Sequence, residues 1–275
     1  MKKSIIQTVI VIIIIGLLFT SVSAQNLLFQ TMPKDKSQLG LRFMRPNFDG
    51  DDDLSILSGA YDLYCNIPVS PKINLVGSLP YTIFSAKGED SKSGIGNIYV
   101  GIQTKQMSES GNNSNLSMGI FLPTATDDFS PMVLGVYSNY YEIQKYFPDM
   151  LTIYGNFAYF RNQSSEAIFG IEIGPNLFIP TEDNGFDDAE LFAHYGISCG
   201  FKMTNVTLSA ELAGLAFISE DIDNFEDRFI HSLAFGAQLT GSHVRPGIFY
   251  GIYLKEDFRD VVDGVLGIKF DVSLP

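Results

Sequence analysis

Apolar and polar residues alternate with a period of two along most of the chain. In residues 190–203, the odd positions from Leu191 to Phe201 are apolar or small, whereas the even positions include His194 and Ser198. Successive side chains of a β-strand point to opposite faces, so this alternation predicts strands with one apolar and one mostly polar face. The same pattern recurs in 56–67, 96–105, 206–212 and 232–239.

Thirteen segments are candidate strands on this pattern. They are 38–45, 54–67, 72–85, 94–106, 114–125, 132–147, 150–162, 166–180, 189–203, 205–219, 229–241, 244–256 and 263–274. A bacterial single-chain barrel has an even number of strands, so one candidate must be wrong. The first candidates for removal are 38–45, which is short, and 166–180, which Gly174-Pro175 interrupts. We therefore predict twelve strands, with fourteen as the alternative.

The connections between the candidate strands fall into a short class and a long, acidic class. Ser70-Pro71, Pro148-Asp149 and Thr204-Asn205 are short, whereas 181–188 and 219–228 are long and acidic. Outer-membrane barrels combine short periplasmic turns with longer outer loops. The two classes fail to alternate between about residues 110 and 190, which places the error in the strand count there.

The length of the strands and their second faces favour a membrane barrel over a soluble sheet. The candidates run for about 10–15 residues, whereas globular strands peak near 5–6 and about 9–11 tilted residues cross a bilayer. Gly, Ser, Ala, Asn and Tyr dominate the second face. Aromatic residues gather near strand ends, as in interfacial girdles: Tyr137, Tyr140, Tyr141, Tyr146, Phe147, Tyr154, Phe157, Tyr159 and Phe160.

Hydrocarbon offers no partner for backbone N–H and C=O groups, so strands are stable there only in a closed ring. We therefore predict an all-β, antiparallel up-and-down transmembrane β-barrel. A secreted β-sandwich or a lipocalin-like fold is the alternative, because it would also have half-apolar strands. After the first 24 residues, no segment shows helical periodicity, and no long apolar run is present.

The first 24 residues have the three parts of a secretory signal peptide. Lys2 and Lys3 form a positive start, an Ile-rich run reaches Phe19, and Val22-Ser23-Ala24 supplies a small-residue cleavage site. We predict cleavage near Ala24, which leaves residues 25–275 as a single barrel domain in the outer membrane of a Gram-negative-type bacterium. A retained membrane anchor is the alternative.

The charge and the cysteine content limit the classes of partner and of covalent bond that we expect. The 275 residues have a net charge of −13, which argues against a nucleic-acid binder, because such proteins have a basic footprint. Two cysteines, Cys65 and Cys199, fall in outward-facing rows, and free thiols are favoured over a bridge. Residues 264–275 resemble the terminal strand that barrel-assembly machinery recognises, although they continue five residues past the aromatic residue Phe270. The expected partners are therefore this machinery, the lipid bilayer and lipopolysaccharide.

No pattern of residues indicates catalysis or a bound metal. His194 and Ser198 share a face, but four strand positions separate them by roughly 13 Å at about 3.3 Å per residue. His231 and His243 each neighbour a serine in sequence, so their side chains point to opposite faces. The acidic run 49–53 lacks the spacing of an EF-hand. We predict no enzyme, no cofactor and no metal site.

Two stretches of the chain resemble a known family. SGIGNIYVGIQTK (93–105) and GIFLPTATDD (119–128) resemble the Gly-x-Gly-Asp strand and Pro-Thr-Gly element of outer-membrane proteins labelled "MetA-pathway of phenol degradation". Asn97 replaces the usual acid, and Ala125 replaces the glycine of the second motif. Residues 151–160 and 206–214 are similar to later strands of that family. The resemblance implies a transporter-like barrel for aromatic or hydrophobic compounds.

The polar faces, if they point inward, place ionisable side chains in the lumen. The candidates are Asp62, Lys105, Glu172, His194, Lys202 and Glu211. Charges at membrane depth face a cavity or one another and mark a pathway by default. Because both signs are present, ion pairs that fill a narrow barrel explain them as well as a conducting pore does. Strands and loops account for the whole mature chain, so we expect no plug domain.

The predicted function is passive passage of small solutes, hydrophobic ones included, across the outer membrane. The alternative is a non-conducting structural or adhesive barrel that displays acidic outer loops.

Overall fold

The computed structural model describes residues 36–49, 54–104, 106–107, 112–161, 166–182, 188–219, 224–240 and 243–274. The predicted signal peptide, residues 1–24, lies outside the described residues, as does Lys105. None of the helices in these ranges has the length and apolar character needed to span a bilayer.

Fourteen strands in the described residues form one antiparallel sheet. They are β1 (Gln38–Phe48), β2 (Gly59–Ser70), β3 (Ile73–Phe84), β4 (Lys92–Ile95), β5 (Tyr99–Thr104), β6 (Gln106–Met107), β7 (Asn113–Phe121), β8 (Met150–Arg161), β9 (Ala167–Pro180), β10 (Glu190–Lys202), β11 (Val206–Phe217), β12 (Phe229–Leu239), β13 (Val244–Tyr253) and β14 (Val262–Ser273). The helices are α1 (Phe129–Ser138), α2 (Glu256–Arg259) and the 3₁₀ helices Tyr140–Lys145 and Phe225–Arg228.

The sheet closes into a barrel with twelve strand positions around the ring, each of which we call a stave. β1 pairs with β14 on one side and β2 on the other, so Leu41 lies between Phe270 and Leu63. β4 and β5 both pair with β3, and β5 and β6 both pair with β7. These three short strands are therefore successive parts of one stave. The predicted twelve-stranded antiparallel barrel is confirmed.

The wrong candidate strand is 132–147. The chain forms α1 and the 3₁₀ helix Tyr140–Lys145 there, whereas 38–45 and 166–180 are genuine strands within β1 and β9. Asp128 caps α1 by accepting a hydrogen bond from the Ser130 amide, and Pro131 fits the first turn, where no intrahelical N–H bond is needed. The expectation that no helix or plug follows the signal peptide is also wrong.

Removing this candidate restores the alternation of the connections. Every long connection, including 122–149 between β7 and β8, now falls at one end of the barrel, and the shorter turns fall at the other. Pro148-Asp149 is therefore not a turn of the short class but the last part of a long connection. The predicted location of the error, between residues 110 and 190, is confirmed.

The two faces of the wall have opposite character. Along β10, Ile197 and Phe201 on the outer face are 49% and 64% exposed, whereas His194 and Ser198 on the inner face are 1% and 2% exposed. Exposed apolar side chains of this kind occur on strands all round the ring. A soluble protein rarely exposes a continuous apolar surface of that size, so lipid is the environment that suits the outer face. Cys65 and Cys199 are free thiols, half-buried and exposed respectively.

The aromatic girdle predicted from Tyr137 to Phe147 is wrong in position. These residues belong to the helical connection, where Tyr141 and Tyr146 are 7% and 2% exposed. On β8, Tyr154 and Phe160 point inward and are buried, whereas Phe157 points outward. Aromatic residues in this part of the chain therefore pack mainly inside the barrel.

Candidate functional site in the barrel interior

The connection 122–149, here called the inward segment, folds into the lumen from the end with the long loops. Helix α1 contacts β1, β2, β3 and β4, and the 3₁₀ helix contacts β11 across the interior. Asp149 adopts φ of 52° and turns the chain back to the wall at Met150. The segment therefore spans the cross-section of the barrel.

Apolar side chains hold the inward segment against two parts of the wall. Ile143 packs in a buried cluster with Phe178, Phe192 and Leu215. Tyr141 and Tyr146 join a second cluster, made mainly of buried apolar and aromatic residues of the wall. The inward-facing residues of the wall are thus apolar where these side chains of the segment pack against them, although most of the inner wall is polar. Burial of these groups stabilises the inward segment in the lumen.

A cluster of four charges joins the segment to the wall. Arg42 on β1 contacts Asp62 at 3.0 Å and also contacts Glu142 of the segment. Lys145 lies 2.7 Å from Asp62 and 2.9 Å from Glu142. Although burial opposes ionisation of Glu142, Arg42 and Lys145 hold the pKa of its carboxyl below the ordinary value. The cluster is electrically balanced, with two cations and two carboxylates.

Asn97 ties both ends of the inward segment to the wall. Its side-chain amide donates to the carbonyls of Gln144 at 2.9 Å and Phe147 at 2.6 Å. Its side-chain oxygen accepts from the amides of Thr124 and Ala125, both at 2.9 Å. One fully buried carboxamide thus uses two donors and two acceptors to close the loop at its base.

The four hydrogen bonds of Asn97 are here called the clasp. The stave formed by β4, β5 and β6 is interrupted at residues 96–98, and the interruption makes room for the clasp. A side chain at Gly96 would place its Cβ 2.3 Å from the Lys145 carbonyl oxygen, so only glycine permits the close approach. Thr124 bridges the break, since its hydroxyl donates to the Gly96 carbonyl and accepts from the Ile98 amide. The two stretches that resemble a known family therefore contact each other here.

Sequence reasoning missed the clasp and the role of Lys145. It noted Asn97 only as a departure from a family motif, and it assigned 132–147 to a strand. The available signal was the shift of the apolar residues from an odd position at Ile95 to even positions from Ile98 onward. A long-range partner for a buried asparagine is not visible in a local pattern.

A third polar contact joins the segment to the opposite wall. The Tyr141 hydroxyl donates to Glu172 on β9. The ring of His194 stacks on Tyr154 with 4.9 Å between centroids, and its nitrogens lie 3.1 Å from oxygens of Asn156 and Asn176. His194 thus completes an amide network and makes no hydrogen bond with Ser198.

Nearer the end with the short turns, Asp271 on β14 is the centre of a group of hydrogen bonds in the lumen. Its carboxylate accepts hydrogen bonds from Gln38, Tyr64 and Gln238 at 2.5, 2.6 and 2.8 Å. Lys269 lies two residues away on the same face. Neither charge was among the predicted lumenal residues, although the row opposite the apolar residues of 263–274 contains both.

The structure places the predicted lumenal residues in several distinct surroundings. Asp62, Glu172 and Glu211 lie on inner faces and are at most 3% exposed, as is His194. Lys202 is half-buried on the same row of β10 as His194, at the end with the short turns. Asp62 and Glu172 form hydrogen bonds with the inward segment, through Lys145 and Tyr141 respectively. Lys105 lies outside the described residues.

A small cavity remains in the lumen beside the charge cluster. Its volume is about 60 Å³, enough for a few water molecules, since one needs about 10–15 Å³ of such space. Aromatic rings of Tyr99, Phe121 and Tyr154 line one side, and Arg42 and Lys269 line another. Below it, the lumenal amides of β1, β2 and β5 are about as inaccessible to water as a protein core. The described interior is therefore packed along these three strands.

No protein-family model matches the sequence, and no curated protein matches it. Among solved structures, the chain is similar to the COG4313 outer membrane channel from Pseudomonas putida F1, with 11% identity over 92% of this chain and 100% of that chain and a TM-score of 0.61. The KdgM porin has 8% identity over 86% of this chain and 99% of that chain, with a TM-score of 0.54. The fold is that of an outer-membrane β-barrel.

This barrel shares its architecture with those structures, and at such low identity the likeness extends to the fold alone. The resemblance to the proteins labelled "MetA-pathway of phenol degradation" remains a resemblance, because no family model supports it. The fold of the described residues thus agrees with that of experimentally solved barrels.

Proposed function

We propose that this protein is an outer-membrane channel for small solutes, which the inward segment holds closed. The observation that carries the proposal is how the charge cluster divides. Arg42 and Asp62 form one ion pair on the wall, whereas Glu142 and Lys145 form another within the segment. The segment can therefore leave the lumen without stranding an unpaired charge, which would be costly in a membrane protein.

Without the segment, the remaining wall is suited to a water-filled passage. Its inner face holds amides, hydroxyls and paired charges on most staves, including Asn74, Ser117, Asn156 and Asp271. Such groups need water or one another as hydrogen-bond partners.

The solutes we propose are small molecules with an apolar or aromatic portion. The cavity beside the charge cluster is lined on one side by Tyr99, Phe121 and Tyr154, and the Tyr154 ring packs edge to face against the other two. The resemblance to a family linked to aromatic and hydrophobic compounds points to the same class. We propose no catalytic role for His194, because its two ring nitrogens face asparagine oxygens.

The location follows from the same proposal. We expect export, removal of a signal peptide near Ala24, insertion by barrel-assembly machinery, and an outer leaflet with lipopolysaccharide around the apolar face. Passage of solute then requires no cofactor.

A second candidate function has a specific observation in its favour. The described interior is packed, and Asn66, Gln103 and Gln38 are each only 1% exposed. A barrel that never opens would serve a structural or adhesive role through its outer loops.

Planar-bilayer recordings distinguish the two functions. We expect wild-type protein to show rare, brief currents, and a variant in which a short Gly-Ser linker replaces residues 126–143 to show sustained current. The control replaces the outer loop 85–91 in the same way and keeps wild-type currents, because that loop lies outside the lumen. Silence of both the wild type and the linker variant, each with heat-modifiable gel migration, would exclude the channel.

A further inference from the structure

Two cations lie side by side on the inner wall and border the cavity beside the charge cluster. Arg42 on β1 pairs in register with Lys269 on β14, so the two side chains are cross-strand neighbours. Both residues are buried, at 5% and 3% exposure. Like charges directly opposite each other destabilise a sheet. The pair is therefore a place where the wall favours nearby carboxylates.

One of the carboxylates at this place is not part of the wall. Asp62 on β2 contacts Arg42 at 3.0 Å and stays with the wall. Glu142 also contacts Arg42 and borders the same cavity, but it belongs to the inward segment. Asp271 lies 3.9 Å from Lys269, which is longer than the roughly 2.7–2.9 Å of a charge-assisted hydrogen bond. Withdrawal of the segment therefore removes one carboxylate from beside the two cations.

The same cavity joins the two cations to a group of aromatic rings. Tyr99, Phe121 and Tyr154 line it together with Arg42 and Lys269. These two kinds of lining complement a molecule that has a carboxylate at one end and a ring at the other. An apolar cavity of about 150 Å³ holds benzene, whereas this cavity measures about 60 Å³. Such a molecule therefore needs the space that withdrawal of the segment supplies.

We propose that Arg42 and Lys269 bind the carboxylate of small aromatic monocarboxylates, and that Glu142 occupies the position of this carboxylate while the segment is inside. The inference rests on the proposed channel and names its class of solute. The guanidinium of Arg42 presents a planar fork of donors that matches a carboxylate, and Lys269 adds a point charge. A solute that binds only after the segment has left shifts the population toward the open barrel. Solute and Glu142 therefore compete for one position.

Equilibrium dialysis of radiolabelled benzoate against detergent-folded, full-length mature protein tests the site, with chloride held constant and in excess. Glu142→Ala removes the competing carboxylate. We expect this variant to bind benzoate about tenfold more tightly than wild type, as loss of one hydrogen bond to a charged group predicts. Adding Lys269→Met to Glu142→Ala should reverse that gain. Excess benzamide, which has the same ring and no charge, should displace no benzoate.

The matched control is Asp227→Ala, which removes an exposed carboxylate from its ion pair with Lys255. This control should bind benzoate with the affinity of wild type. Equal affinity of wild type, Glu142→Ala and Glu142→Ala/Lys269→Met would overturn the site, as would displacement by benzamide. Glu142→Gln replaces Glu142→Ala in the same comparison if the alanine variant misfolds.

The outcome of the dialysis is separate from that of the bilayer recordings, because binding requires no conduction. A barrel that binds benzoate in the expected order of variants and never conducts keeps the site and excludes the channel. A barrel that conducts without binding benzoate keeps the channel and overturns the site.

Discussion

Asn97→Ala is the perturbation that most sharply tests how the inward segment is held. The substitution removes four hydrogen bonds, two donated to Gln144 and Phe147 and two accepted from Thr124 and Ala125. At about 1 kcal/mol net for each bond, the closed position loses about 4 kcal/mol relative to a displaced segment. That loss raises the ratio of open to closed barrels roughly a thousandfold.

Single-channel recording measures this ratio as the open probability. Asn97→Ala should convert rare openings into a channel that is open for most of the record. Asn97→Asp should act in the same direction, because it lacks both donors and sets a charge against two carbonyls. The control is Asn47→Ala, an exposed residue with one hydrogen bond to Asp263 at the outer end. An open probability of Asn97→Ala within twofold of wild type, in correctly folded barrels, would refute the reasoning.

Three further predictions follow from the same contacts. Lys145→Met leaves Asp62 and Glu142 with Arg42 as their shared cation. We therefore expect the open probability in bilayers to rise by more than a hundredfold. The double variant Lys145→Met/Glu142→Gln, which restores the charge balance, should recover most of the closure. Because the closed-state pKa of Glu142 is lowered, its contribution to closure is present above the ordinary carboxyl pKa and is lost as pH falls. Openings should therefore increase below pH of about 4, and a Glu142→Gln channel with the same acid response would contradict this assignment. Gly96→Ala should lower the thermal unfolding midpoint, measured on heat-modifiability gels, by several degrees. The reason is that the new Cβ would lie 2.3 Å from the Lys145 carbonyl oxygen. An unchanged midpoint would be inconsistent with the close approach.

The wall was predictable because its physics is local. Each stave needs only an apolar face for lipid and a different face for the lumen, and residues 190–203 show both in their sequence alone. The parity of the strand count and the two classes of connection then located an error that no single strand revealed. These constraints arise from closure of the ring, which removes every unpaired edge.

The inward segment was not predictable from the same pattern. Helix α1 has apolar residues on its partly exposed side as well as on its buried side, so it lacks the polar face that marks a surface helix. Its cap, Asp128, lies in an acidic stretch that resembles an outer loop. Tyr137, Tyr140 and Tyr141 have the composition of an interfacial girdle, and only their position in space shows that they pack inside.

The candidate site was partly predictable for a related reason. Asp62, Glu172, His194 and Glu211 follow from the inward-facing row, because a strand's period fixes the face of each residue. Their partners depend on the segment and on strands far away in sequence. The Asp62–Lys145 contact joins residues 83 positions apart, so no local signal contains it.

A reversible cross-link between the segment and the wall gives the most direct test of closure by the inward segment. A Cβ built on Gly94 of β4 lies 3.4 Å from the Cβ of Pro131 on α1, close to the separation found in disulfides. Gly94→Cys/Pro131→Cys, with Cys65 and Cys199 replaced by serine, can be recorded in one bilayer before and after reduction. We predict silence while the disulfide is intact and openings once it is reduced; identical records in both states, whether silent or conducting, would contradict the account.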